Sequence, residues 1–156
     1  MEIFSKISAQ AHCDIPCGIY EPSPAKIAAS TVLRMVEQLE VFKPPKDSGD
    51  QKAMLQYLNT VSRRISIKEE HAQLCKRELY ILWSDFFKPE HFEKFPNLHE
   101  LFWQATKLCS KNKQEVNKET AQNLVEAVDE IAKVFYQAKN VPERYGAYKQ
   151  LTDKLY

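Results

Sequence analysis

Apolar residues return at intervals of three and four along most of this chain, a spacing that predicts helices. Ile27, Val32, Met35, Val36, Leu39 and Phe42 form a first stripe. Pro24 suits its first turn, with Ser23 as candidate cap, and Lys43-Pro44-Pro45 stops it. Asp47-Ser48-Gly49-Asp50 reads as a loop that caps a second helical stretch over about residues 51–86. That stretch carries two stripes, Met54, Leu58, Val61 and Ile65, then Ala72, Cys75, Leu79, Leu82 and Phe86. The stripes do not share one phase, which predicts a bend or break near residues 62–66. An aromatic, charged loop is expected over 89–96 and a third helix over 97–110, with Leu98, Leu101, Phe102, Ala105, Leu108 and Cys109 on one face. A polar link over 111–117 leads to the cleanest stripe: Ala121, Leu124, Val125, Val128, Ile131, Ala132 and Phe135. Val141-Pro142 ends it, and Tyr145, Tyr148, Leu151 and Leu155 suggest one short further helix.

Four amphipathic helices joined by short links predict an all-α protein, a four-helix bundle. At 156 residues the chain suits one domain with a real core. Its three glycines, Gly18, Gly49 and Gly146, lie too far apart for a phosphate-cradling loop. Lys plus Arg is 22 against 21 for Asp plus Glu, which leaves no basic footprint for nucleic acid. No apolar run approaches the roughly 20 residues that cross a membrane. The four cysteines are too few and too irregular for a disulfide framework, and a reducing, cytoplasmic compartment would keep them as thiols.

Helical bundles often hold metals through Glu-x-x-His pairs. Here Lys68, Lys88 and Pro96 stand three before His71, His91 and His99, so the bundle reads as a scaffold. His71 and Cys75 share a helical face, but the simpler reading is a surface or inter-helix histidine. His91 and His99 read as structural, Trp83 and Trp103 as core or interface, and Cys75 and Cys109 as inert core thiols.

The chemistry concentrates near the start, in His12-Cys13-Asp14-Ile15-Pro16-Cys17-Gly18-Ile19-Tyr20. A bare C-x-x-x-C pair is as readily a disulfide or two ordinary thiols. Ala9-Gln10-Ala11 before it resembles a small-residue cleavage site, and residues 1–11 lack the continuous apolar core of a secretory signal. They read as a propeptide, the alternative being a tail that stays attached. A cut after Ala11 would free the His12 amine. That amine, the Cys13 amide nitrogen and the Cys13 and Cys17 sulfurs then make a planar N2S2 set, with the His12 imidazole able to approach axially. Such donors suit Ni(II) or Cu(II), whereas zinc prefers a tetrahedron and magnesium and calcium prefer oxygen.

This nine-residue string closely resembles the nickel-binding hook of the nickel superoxide dismutases. Leu82-Trp83-Ser84-Asp85-Phe86-Phe87-Lys88-Pro89, with His91-Phe92-Glu93-Lys94 after it, is similar to a second segment of that family. The resemblance runs from His12 to about Asn140. It implies a propeptide (1–11) and a single domain (12–156), made of a hook (12–20), a bundle (24–140) and an extension (141–156). It implies dismutation of superoxide to O2 and H2O2 by a Ni(II)/Ni(III) cycle, one nickel ion per subunit, a maturation protease and a homohexamer. His12, Cys13 and Cys17 would be the metal ligands. Tyr20 would close off the metal and hydrogen-bond an incoming anion, if it is not simply a packing aromatic. Asp14 would contribute through its backbone, if it is not simply a turn carboxylate. Lys88 would steer the anion.

There are departures from the family pattern. Phe86 stands where a second tyrosine is common. Ala28 and His71 fall where a carboxylate and an arginine often orient the axial imidazole, and His71 is a partial substitute. A nickel or copper carrier with the same hook, or a helical protein with a thiol redox switch, are the competing readings. No role is legible for the extension.

Overall fold

The computed structural model describes residues 19–155. Among these there are six α-helices and no strand. They are α1 (Ser23–Val41), α2 (Gln51–Ile81), α3 (Pro89–Lys94), α4 (Leu98–Gln114), α5 (Lys118–Ala138) and α6 (Arg144–Thr152). Helices α1, α2, α4 and α5 form the expected four-helix bundle, in which α1 packs on α2 and α5, and α4 packs on the same two. Helix α6 lies against α5 and α1.

Local signals fix most of the boundaries. The Asp50 carboxylate accepts from the Ala53 amide (3.0 Å) and caps α2, and the Asn117 side chain accepts from Thr120 (2.8 Å) and caps α5. Asn140 takes the left-handed conformation (φ 59°) and turns the chain off the end of α5. Ser23 does not cap α1. It lies inside the helix, where Pro22 takes the cap position, and its hydroxyl donates to Glu21 (3.2 Å).

The expected break near 62–66 is absent, because α2 runs unbroken from Gln51 to Ile81. The two stripes differ because the helix has two sets of neighbours. Lys68, Ala72, Cys75 and Leu79 are its buried residues, whereas residues 51–67 contain none. This first half meets α1 through the stacked pair Phe42 and Tyr57 (5.2 Å) and through Arg64, which lies over Phe42 and donates to the Gln38 carbonyl (3.1 Å). The irregularity comes later, as a π-helical turn over Leu82–Phe86 closed by the Phe87 amide on the Leu82 carbonyl (3.1 Å). This wider turn leaves Leu82 and Phe87 buried and Phe86 half-buried. Two links are also shorter than expected, since the 89–96 stretch contains α3 and α4 runs on to Gln114.

The core joins Leu79, Leu98, Phe102, Leu124, Val128, Ile131 and Phe135 with a floor of Ala25, Ala28 and Ala29 from α1. Each large apolar side chain buried here is worth about 1.5–3 kcal/mol. The alanines let α1 approach closely. Cys75 and Cys109 are both fully buried core thiols, as expected, and their mutual hydrogen bond, then burial, pushes the Cys75 thiol well up. Lys68 is also buried. Its ammonium donates to the Asn112, Lys113 (3.2 Å) and Glu115 (3.0 Å) carbonyls, which satisfies the end of α4 from α2. Burial lowers its pKa against the pull of Glu69 and Glu115.

Candidate functional site

His12, Cys13, Asp14 and Cys17 lie outside the described residues. The structure shows the ground on which this segment is rooted. Ile19 is exposed and Tyr20 turns inward to meet Phe86 of the π turn (5.8 Å). Phe86 rests on Phe135 of α5 (4.4 Å) and stacks on His91 of α3 (5.7 Å, 8° between planes). The His91 Nδ1 accepts from the Lys88 amide (3.0 Å), which holds the start of α3. The two stretches singled out by sequence are therefore brought together, Tyr20 from one and Phe86, Lys88 and His91 from the other.

The polar partners at this root are Glu21, Tyr136 and Lys139. The Glu21 carboxylate accepts from the Tyr136 hydroxyl and the Ser23 hydroxyl. Burial, then the Glu21 bond, pushes the Tyr136 pKa up, so the phenol stays protonated as a donor. Lys139 reaches the Tyr20 carbonyl (3.5 Å) with its ammonium over the Phe135 ring (5.4 Å). It places a positive charge beside Tyr20, and Lys88 is exposed at the start of α3. Sequence reasoning missed these three residues. Tyr136 is 115 positions from Glu21 and Lys139 is 119 from Tyr20, and no local pattern marks such pairs.

Ala28 is fully buried in the floor of the core and offers no polar group. His71 is half-buried on α2, and its Nδ1 is buried with no hydrogen-bond partner among the described residues. His99 accepts from the Trp83 indole (3.0 Å) and stacks on Phe92 (4.0 Å), a structural role. Trp83 and Trp103 are 39% and 57% exposed, so neither belongs to the core of the single subunit. Among the described residues, no three His, Cys, Asp or Glu side chains gather to hold a metal, and no helix is long and apolar enough to cross a membrane. The donor set that suits a metal is the hook itself. The two thiols and the imidazole within residues 12–17 are donor types that fit a borderline-soft ion accepting N and S ligation.

Comparison with known proteins agrees with this picture. The family described as nickel-containing superoxide dismutase matches residues 7–139, a span that takes in the whole hook. The chain is 37% identical over 134 residues to the nickel superoxide dismutases of Streptomyces seoulensis and Streptomyces coelicolor, covering 86% of this chain and 92% of each relative. A solved nickel-containing superoxide dismutase with its ligation in the oxidized state superposes with a TM-score of 0.69 at 36% identity, covering 83% of this chain and 99% of that one. A native nickel superoxide dismutase gives 0.68 at 35%, covering 82% and 99%. The hook string and these matches lead to one conclusion: the chain belongs to the nickel-containing superoxide dismutases.

Proposed function

We propose that this chain dismutates superoxide with a nickel ion held by the hook, which cleavage before His12 makes competent. The observation that carries this is the intact donor string His12-Cys13-Asp14-Ile15-Pro16-Cys17 inside the matched span. When bound, nickel supplies the Ni(II)/Ni(III) couple that takes an electron from one superoxide and returns it to another. The Cys13 and Cys17 thiolates and the deprotonated Cys13 amide donate electron density that stabilises the higher oxidation state. The His12 amine and imidazole would supply two further nitrogen donors to the ion. Pro16 and Gly18 shape the turn, and Asp14 acts through its backbone.

Tyr20 closes the site on the bundle side, since its ring is held against Phe86. Phe86 has no hydroxyl to offer, so a hydrogen bond to an incoming anion or water falls to Tyr20. Lys88 and Lys139 draw the superoxide anion toward the root. Exclusion of bulk water and ligation to metal protect the thiolates from oxidation by the peroxide formed beside them. A reducing cytoplasm keeps both sulfurs free until the metal arrives. Residues 1–11 serve as the propeptide removed by a maturation protease, and 12–156 as the working domain.

Assembly into a homohexamer fits the surface. Tyr80, Trp83, Phe102 and Trp103 line an open apolar groove of about 390 Å³, and Leu55 and Leu58 are 68% and 53% exposed. Apolar surface of this extent is available for neighbouring copies. The test of the whole reading is Cys13→Ser and Cys17→Ser in the processed protein. Each is expected to lose nickel and at least about a hundredfold in turnover, with the helical circular dichroism and melting temperature unchanged. Retained dismutation by either variant contradicts the hook. Nickel bound by the unaltered protein without turnover favours a carrier.

A further inference from the structure

The family match ends at residue 139, and α6 lies beyond it. Yet α6 is tied to the opposite end of the chain by two routes. The first is ionic. The Tyr148 hydroxyl, on a residue only 4% exposed, donates to Asp129 Oδ1 (3.0 Å), and Lys149 Nζ donates to Asp129 Oδ2 (2.7 Å) and Asp153 Oδ1 (2.8 Å). Asp129 is gripped from the other side by Lys26 Nζ at 2.7 and 2.6 Å. Lys26 is 2% exposed, sits in the first turn of α1 and also reaches Asp153 (3.4 Å). Two ammonium groups thus face two carboxylates. Burial opposes the Lys149 charge, but its bonds to Asp129 and Asp153 outweigh that and raise its pKa.

The second route is aromatic. The Tyr148 ring packs on Tyr136 (5.8 Å), and the Tyr136 hydroxyl donates to Glu21, the neighbour of Tyr20. The aromatic route therefore ends on Glu21, just before α1, and the ionic route on Lys26 in its first turn.

We propose that α6 is a clasp that fixes the root of the nickel hook, with Tyr148 on α6 and Tyr136 on α5, against which it packs, as the positioning residues. This rests on the hook reading above. Cys17 stands three residues from Tyr20, so a shift of the root passes directly to the thiolates. A metal site loses function when the elements that support it move by about 1 Å. A fixed root also lowers the ordering cost of closing the ligands round the ion. Loosening the clasp leaves every ligand in the sequence but lets nickel leave sooner.

The experiment compares processed protein, starting at His12, in its unaltered form with Tyr136→Phe, with the double variant Tyr148→Phe/Lys149→Met, and with a chain ending at Val141. Two readouts are taken: release of bound nickel to a strong chelator, and amide hydrogen exchange over residues 19–27 in the metal-free protein. Tyr136→Phe keeps its ring contacts and loses only the bond to Glu21. It is expected to raise both rates about tenfold, with exchange in α2 and α4 unchanged. The double variant should match or exceed this, and it serves in full-length protein even if the shortened chain fails to fold. Unchanged nickel release and unchanged exchange over 19–27 in the double variant would overturn the clasp, whatever Tyr136→Phe does and whatever happens to the melting temperature. If the unaltered protein binds no nickel, the hook reading fails, and the metal-free exchange still decides the clasp.

Discussion

At the end of the bundle where α1 begins, Tyr20, Phe86, Phe135, Tyr136 and Tyr148 pack ring on ring, and Lys26, Asp129, Lys149 and Asp153 lock together beneath them. At the end where α2 begins, residues 51–67 bury no side chain, and one stacked pair with an arginine over it joins them to α1. The bundle is thus deeply packed at one end and only partly buried at the other. Local stability follows buried contacts, so the segment proposed to carry the metal ligands precedes a well-packed end of the bundle. The partly buried end, with Leu55 and Leu58 exposed, is suited to contacts with neighbouring copies.

The sharpest way to break this contrast is Asp129→Ala, which leaves Lys26 buried without its main partner. Chemical denaturation should show a loss of about 3–5 kcal/mol. A loss below 1 kcal/mol would mean that the ionic lock contributes little. Next is Lys68→Met, at the boundary between the packed and the less buried halves of α2. It keeps the apolar stem but strips the donor from the carbonyls at the end of α4, for an expected cost of about 1–3 kcal/mol.

A smaller effect concerns pH. The bond from Lys149 holds the Asp153 carboxyl below its ordinary pKa, so its contribution is present above about pH 3.9 and is lost as pH falls further. Lys149 is raised, so its contribution is present below about pH 10.4 and is lost as pH rises through the folded value. Thermal melts should therefore show the full chain losing stability at both extremes, and a chain ending at Val141 should lack both components. The smallest effect is expected at the partly buried end. Leu58→Ala should change subunit stability by no more than about 0.5 kcal/mol while weakening the assembly on a sizing column. A large loss of subunit stability there would erase the difference between the two ends.

The helices were legible because their stripes are local: three- and four-residue spacing, a capping loop at 47–50, and prolines as stops. The continuity of α2 was not. Its stripes change phase because the helix first faces α1 and later faces α4 as well, while no proline or glycine interrupts its backbone hydrogen bonds. Trp83 and Trp103 follow the core period yet stay exposed, since periodicity tells which face a residue occupies and not what covers that face. The hook string stands out for a different reason: the proposed ligands His12, Cys13 and Cys17 lie within six consecutive residues, so the proposed chemistry is written in one place. The ionic cluster at the start of α1 was not legible, because Lys26 and Asp129 are 103 positions apart and no local pattern links them. Only the fold brings them together.

The central claim is that nickel binds a hook that exists only after the Ala11–His12 bond is cut. Intact mass, nickel content and dismutase turnover, measured on one native preparation, test it most directly. The expected result is a mass beginning at His12, close to one nickel per subunit, and turnover that disappears when the metal is removed. Full turnover in protein that still carries Met1 to Ala11 would contradict the account.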